Sequence, residues 1–232
     1  PHDLGTIMGV WAHPDDECYL MAGTAMLAAA AGSHVAIVSA TLGEAGSTSD
    51  ESRWPLASMA LTRKAELAAS LAELGIADHT SLGLPDGGLA GVDPLRGIEL
   101  VAAELERVRP DTVLTFGTDG VTGHPDHVAV GHWAQHAARR VMGERCRVLA
   151  PTSTAELLEP FAQVNALVYQ WGPPPCVEPE EVVLDVRLGG EVLDRKVRSL
   201  QAQPSQTSGI EQWMGAARYR EWVSAELWVT RG

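Results

Sequence analysis

Cysteine is scarce in this chain, and its three copies, Cys18, Cys146 and Cys176, are widely spaced and form no C-x-x-C pair. So odd and scattered a set excludes a disulfide framework and a cysteine zinc knuckle, and leaves ordinary reduced thiols. Positive charge is also in short supply. Seventeen Lys and Arg stand against thirty Asp and Glu, a net charge of −13 with no basic patch to offset it. A phosphate backbone is repelled by that balance, which excludes nucleic acid as a partner. Long apolar runs are missing: the longest, residues 19–32, is Ala-rich and too short to span a bilayer. No basic segment leads into an apolar stretch with a cleavage site, so the expected location is the cytoplasm. Internal repeats and low-complexity linkers are absent, and the prolines at 173–175 are too few to separate domains.

What remains is 232 residues, 45% hydrophobic and 20% charged, enough for one sizeable α/β core. A single domain over 1–232 is expected, with its core in 5–150 and residues 151–232 completing the substrate side. A homo-oligomer is compatible with this composition. Apolar periodicity predicts a strand at 6–12, an Ala-rich helix at 17–31 closed by Gly32, and a strand at 34–41, which is a βαβ unit. A helix at 55–74 ends at Gly75, and further elements follow as a strand at 79–82, a helix at 94–108, a strand at 111–116, a helix at 126–142 and a strand at 147–150. Weaker signals place strands at 166–171 and 182–186 and a helix at 193–201. The alternation predicts a Rossmann-like, doubly wound, mostly parallel sheet with helices on both faces.

In such sheets ligands bind beyond the carboxyl ends of the strands, where the βα loops gather. The first of these loops, His13-Pro14-Asp15-Asp16-Glu17, has no glycine to let a pyrophosphate approach the backbone, so a dinucleotide-binding role finds no support. An imidazole beside two carboxylates suits a divalent cation instead. A second cluster, Gly123-His124-Pro125-Asp126-His127, precedes a later helix. If both loops cap one sheet, His13, Asp16 and His127 make a two-histidine, one-carboxylate metal site, with Asp15 and His124 beside it for proton transfer. Helix capping by Asp15 and Asp16 and turn bonds from the histidines are the simpler alternative for either loop taken alone. Capping does not call for the duplication.

These segments, "AHPDDE" at 12–17 and "GHPDH" at 123–127, together with "TLGEAG" at 41–46, "RKAEL" at 63–67, "LGLPDGGL" at 82–89 and "RPDTVLT" at 109–115, resemble the LmbE-like, or N-acetylglucosaminyl-phosphatidylinositol de-N-acetylase, family. The likeness runs through residue 140. It implies a Rossmann-like fold, a zinc ion (Fe²⁺ or another divalent ion being an alternative) and hydrolysis of the acetamide of a glucosamine-type sugar, a small-molecule substrate. Position by position it assigns zinc to His13, Asp16 and His127, the general base to Asp15, and stabilisation of the oxyanion to a protonated His124. Arg63 and Asp86 match family positions that hold substrate. A solvated helix face, with Arg63 paired to Glu66, and a Pro-Asp-Gly turn are the competing explanations. Glu44, in another βα loop, either orients substrate or solvates the loop. Asp126 either fixes a ligand histidine's tautomer or caps its helix.

Two departures from the family pattern fall on the substrate side: Gln203 stands where a histidine is common, and Thr122 where some members have tyrosine. His132 and His136, four apart on one helix, lack the glutamate of an H-E-x-x-H motif and are read as structural or surface residues. Trp11 and Trp171, in apolar runs, are expected in the core, whereas Trp54 and Trp213 lie in loop-like contexts. An amidase that removes a larger N-acyl group from a glucosaminide conjugate, and a non-catalytic metal- or sugar-binding module, are the rival functions. The presence of Asp15 and His124 favours catalysis.

Overall fold

The computed structural model describes residues 4–48 and 50–231. Seven strands form one sheet in the order β3-β2-β1-β4-β5-β7-β6. They are β1 (Ile7–Trp11), β2 (Val35–Ser39), β3 (Asp78–Ser81), β4 (Thr112–Thr115), β5 (Arg147–Thr152), β6 (Leu184–Arg187) and β7 (Ala225–Thr230). The first five are parallel, while β7 runs antiparallel to both β5 and β6. Every residue of β1, β2 and β4 is buried, so helices cover both faces of the sheet's centre, as the near-continuous apolar runs IMGVW, VAIVS and TVLT require.

One helical layer is α4 (Pro94–Val108) and α5 (Pro125–Met142), packed on each other and on β1 and β4. Gly97 permits this packing, because a β-carbon there would run into the Trp133 ring. The second layer is built from α2 (Ala22–Ala30), α3 (Met59–Leu74) and α8 (Gly190–Gln201), with the short α1 (Asp16–Leu20) leading into it. The helix expected at 17–31 is therefore two. At Met21 the backbone swings out to φ −131°, and the thioether is drawn under β1, where it accepts a hydrogen bond from Trp11 Nε1 at 3.0 Å.

The remaining helices are α6 (Ala155–Leu158), α7 (Ala162–Val168), α9 (Pro204–Met214) and α10 (Ala216–Trp222). The strand expected at 166–171 is corrected here: residues up to Val168 belong to α7. Its short apolar run is one face of a helix anchored by buried Asn165, which donates to Leu158 O at 3.1 Å and accepts from Trp222 Nε1 at 3.2 Å. Trp171, expected in the core, is instead 63% exposed. Trp54 is buried and Trp213 exposed, and His132 and His136 lie exposed on α5. Strand β7 has no counterpart in the sequence reading. Among the described residues no helix is long and apolar enough to cross a membrane.

Neighbouring β1 and β4 lead away in opposite directions, β1 towards β2 and β3 and β4 towards β5, and this is the switch point at which doubly wound sheets open a crevice. The loop after β1 carries residues 12–15, and the loop after β4 carries 116–124. Chain topology thus brings together two histidine clusters that are more than a hundred residues apart.

Candidate active site

Asp15 is where the first loop turns into α1, and it does so at φ 104° and ψ −30°, a conformation that a non-glycine residue keeps only when its surroundings impose it. Those surroundings are specific. The Asp15 N–H donates to Glu17 Oε2 at 2.9 Å, and its carbonyl accepts from the Cys18 N–H at 3.1 Å and the Cys18 thiol at 3.0 Å. The Arg63 guanidinium donates to Pro14 O and to Gly43 O and pairs with Asp15 Oδ2 at 3.3 Å. Gly43, at φ 70°, leaves room for that guanidinium, and any β-carbon would strike it. The Asp15 side chain makes no capping bond. Asp16 Oδ2 accepts from the His13 N–H at 2.8 Å, folding the loop back on itself. Helix capping therefore does not account for the acids of this loop.

The second loop is held as tightly. Val121 sits at φ 62°, a rare state for a β-branched residue, and Gly123 at φ 76°. This turn aims Gly120 O at His127 Nδ1, 3.0 Å away, while the His127 ring stacks on Phe116 at 4.2 Å. A carbonyl can only accept, so Nδ1 carries the proton and Nε2 presents a bare lone pair. At His13 the assignment is reversed. Its Nε2 faces Asp86 Oδ1 at 3.0 Å and Asp126 Oδ2 at 3.3 Å, so Nε2 is the protonated nitrogen and Nδ1 is free.

The two unprotonated nitrogens, His13 Nδ1 and His127 Nε2, face each other at 3.1 Å, with Asp16 3.4 Å from His127 Nε2 and 3.8 Å from His13 Nδ1. Two lone pairs and a carboxylate converging on one point repel each other unless a cation sits between them. Donors of a tetrahedral zinc with bonds of about 2.0–2.1 Å lie about 3.3 Å apart, so both the spacing and the N₂O chemistry fit a divalent ion. The electrostatics agree. Burial opposes a charge on His13, yet Asp126, Asp86 and Asp16 outweigh it and push its pKa up to about 10, so where no divalent ion is bound a proton on His13 Nδ1 takes the cation's place. Burial and the neighbouring imidazoles hold the pKa of His127 well below the usual histidine range.

His124 lies beside this cluster. Nitrogens of His13, His124 and His127 fall within 4.8 Å of one another, and its ring meets His13 edge-on at 5.1 Å. Its Nδ1 accepts from the Asp126 N–H at 3.2 Å, and burial lowers its pKa. In this arrangement Nδ1 is the accepting nitrogen, so a proton on His124 sits on Nε2, and the doubly protonated form expected from sequence would set a second N–H against the Asp126 N–H.

Asp126 accepts from Gly87 N at 2.8 Å and Leu89 N at 2.9 Å, so its contact with His13 leaves nothing for capping. Asp86 is equally occupied: Oδ1 meets His13, and Oδ2 accepts from the Ala45 N–H at 2.8 Å. Burial would raise its carboxyl, but the bond and charge of His13 bring it down to about 2. Both its oxygens are thus taken by protein groups. Arg63 is 3% exposed rather than on a solvated face, and Glu66, expected as its partner, bonds to Ser205 N and Oγ. Glu44 is exposed and braces the rim by accepting from the Asp86 N–H at 2.9 Å. Thr122 Oγ1 lies 3.2 Å from His127 Nδ1, and Gln203 Nε2 donates to Glu17 Oε1 at 2.8 Å, behind the Asp15 turn. The sequence reading missed Trp171, whose indole stands edge-on to His124 at 5.7 Å. The one available signal was its setting just before Gly172 and three prolines, which suits a loop better than a core strand.

The family model PIG-L, GlcNAc-PI de-N-acetylase, matches residues 8–138. The 1D-myo-inositol 2-acetamido-2-deoxy-alpha-D-glucopyranoside deacetylase of Nakamurella multipartita is 41% identical over 150 residues, covering 53% of this chain and 51% of that one. The chain thus spans about half the length of that relative. The enzyme of the same name from Corynebacterium glutamicum is 31% identical over 220 residues, covering 86% of this chain and 74% of its own. The solved structure of N,N'-diacetylchitobiose deacetylase from Pyrococcus horikoshii shares the fold, with a TM-score of 0.68 over 99% of this chain and 84% of that one, at 19% identity. A model match over more than half of the chain and the Corynebacterium relative lead to one conclusion: the chain belongs to the PIG-L, GlcNAc-PI de-N-acetylase family.

Proposed function

We propose that the protein hydrolyses the N-acyl amide of a GlcNAc-type amino sugar, acetyl being the first candidate, with zinc held by His13, Asp16 and His127. The observation that carries this reading is the pair of bare nitrogens, His13 Nδ1 and His127 Nε2, meeting beside Asp16, with Asp15 and His124 flanking them. A divalent ion held there supplies Lewis-acid polarisation of an amide carbonyl and makes water acidic enough to lose a proton near neutrality. Zinc suits two imidazoles and a carboxylate, and Fe²⁺ satisfies the same donors.

Asp15 takes the proton of the attacking water. Burial pushes its carboxyl up to about 6 against the pull of Arg63, which makes it a stronger base than an ordinary aspartate while leaving it ionised at neutral pH. Arg63 fixes which way that carboxylate points. The Nε2–H of neutral His124 donates to the oxygen that becomes negative as the tetrahedral centre forms. Asp15 then returns its proton to the departing nitrogen, the C–N bond breaks, and a carboxylic acid and a free amine leave. Asp86 and Asp126 hold His13 in the tautomer that frees Nδ1. The exposed Trp171, edge-on to His124, offers a face for the sugar ring, and the exposed Glu44 offers it a carboxylate.

Zinc-loaded protein incubated with N-acetylglucosaminides should release primary amine and acetate in equal amounts. Asp15→Asn should keep the metal, read by elemental analysis, and lose about 10²- to 10⁴-fold in kcat. His13→Ala and His127→Ala should come off the column without metal. Full turnover by Asp15→Asn, or full metal content in both histidine variants, would overturn the assignment.

A further inference from the structure

A cavity of about 230 Å³ opens against the donor cluster, sharing Asp16, Thr122 and His127 with it. Its other walls come mostly from residues beyond 150. Leu158, Phe161, Val168, Tyr169 and Trp222 make that lining largely apolar. The polar atoms among these walls are largely spoken for. Both ends of the Asn165 amide are bonded to Leu158 and Trp222, the Tyr19 hydroxyl meets Tyr219, and Glu226 is paired with Lys196. The Ser153 and Tyr169 hydroxyls, also in these walls, have no partner among the described residues, and Thr152 Oγ1 is buried without one. A sugar face, with a hydroxyl on nearly every carbon, would be desolvated here for few hydrogen bonds in return. An acetyl methyl would leave most of the space empty, since an apolar cavity of about 150 Å³ already holds benzene.

We infer that this cavity is a subsite for an apolar group of the substrate, of aryl or medium-chain alkyl size, attached within a few bonds of the amide that is cut. The inference rests on the hydrolase reading above and names the substrate class that reading leaves open. Two parts of a glucosaminide can carry such a group: the acyl chain on nitrogen, or the aglycone on the anomeric carbon. In both cases the chemistry in the cavity is the same, burial of apolar carbon. In both cases the reaction is addition of water across the C–N bond to give an acid and an amine.

Two substrate series separate the sources. One runs from N-acetyl through N-hexanoyl and N-octanoyl to N-benzoyl glucosamine, and the other from methyl through hexyl to phenyl N-acetylglucosaminide. One series should climb at least tenfold in kcat/KM over its smallest member, because a pocket discriminates about that strongly per well-buried group. Val168→Trp, which fills the cavity from a partly exposed wall, should bring that ratio back towards one. Calorimetric titration with hexyl glucosaminide, phenyl glucosaminide and hexanoate reads the subsite without turnover, as none of them contains an amide to cut. Tenfold tighter binding than glucosamine or acetate, lost in Val168→Trp, supports the subsite even if no amide is hydrolysed, an outcome that would sink the hydrolase reading alone. Hydrolysis of N-acetylglucosaminide with both series flat and no preferential binding would overturn the subsite and leave the hydrolase standing.

Discussion

Residues 5–150 and 151–231 build the two sides of one opening by different means. In the first region parallel strands end in loops held by polar contacts: His13 to Asp86 and Asp126, Asp15 to Glu17, Cys18 and Arg63, His127 to Gly120. In the second, an antiparallel pair, β6 and β7, carries short helices that surround the site with largely apolar side chains. Chemistry needs groups held in one geometry, and polar interlocking gives that. Discrimination among apolar groups needs shape and little else. The proposed division of labour follows the division of topology.

Lys196 offers the sharpest way to break this comparison, because it ties the two regions together. Its ammonium is fully buried, 2.6 Å from Glu226 Oε1 and 2.9 Å from Tyr19 O. Lys196→Met leaves Glu226 charged and unpaired, and should lower the unfolding free energy by about 3–5 kcal/mol in a urea titration. The double variant with Glu226→Gln should recover part of the loss. If the regions depend on each other as this contact implies, the variant still unfolds in one transition. Two separated transitions would make them independent.

Asp86→Asn tests the polar side at a smaller scale. With His13 held by the Asp126 charge alone, metal affinity should fall about 10- to 100-fold in a chelator competition, with KM little changed once metal is saturating. A raised KM with unchanged metal affinity would return Asp86 to the sugar, the role its sequence position suggested.

The smallest effect concerns His79, at the edge of the parallel region. Burial depresses its pKa, and its Nε2 lies 3.2 Å from Ser39 Oγ. The unfolded chain takes up a proton at about pH 6.5 while the folded one resists it. The folded state therefore has this contribution in full above that value and loses it as pH falls below. His79→Gln should flatten the pH dependence of the melting temperature between about pH 6.5 and 5. An unaltered slope would mean that another group is responsible.

Much of the first region was legible because local and long-range requirements coincide there. The helix expected at 94–108 and the strand at 111–116 appear as α4 and β4 because amphipathic spacing and an unbroken apolar run each have one good solution. The meeting of His13, Asp16 and His127 could be read because two short motifs sit at the ends of strands that must be neighbours. What could not be read depends on partners distant in sequence. Nothing near Asp86 says that both its oxygens will be claimed by His13 and Ala45, and nothing near Arg63 says that it turns inward to Asp15. Strand β7 escaped notice because Glu226 interrupts its apolar pattern, and that charge is tolerable only because Lys196 waits for it. The run at 166–171 misled for the opposite reason: four apolar residues suit a strand or a helix face equally, and the contacts of Asn165 decide.

Glu226 has a consequence for how the protein is made. Its carboxylate receives the N–H groups of Gly23 and Thr24 and the Thr24 hydroxyl, satisfying the opening turn of α2 from a strand 203 residues downstream. A nascent chain that has left the ribosome only through residue 150 already carries both histidine motifs and all five parallel strands but for the end of β5. The first helical turn behind its His13 loop has no acceptor yet. That turn can settle only after the last strand emerges and pairs with β5, so a long-range contact gates the maturation of a locally encoded motif. Synthesis therefore produces the parts of the histidine cluster early and completes their support late.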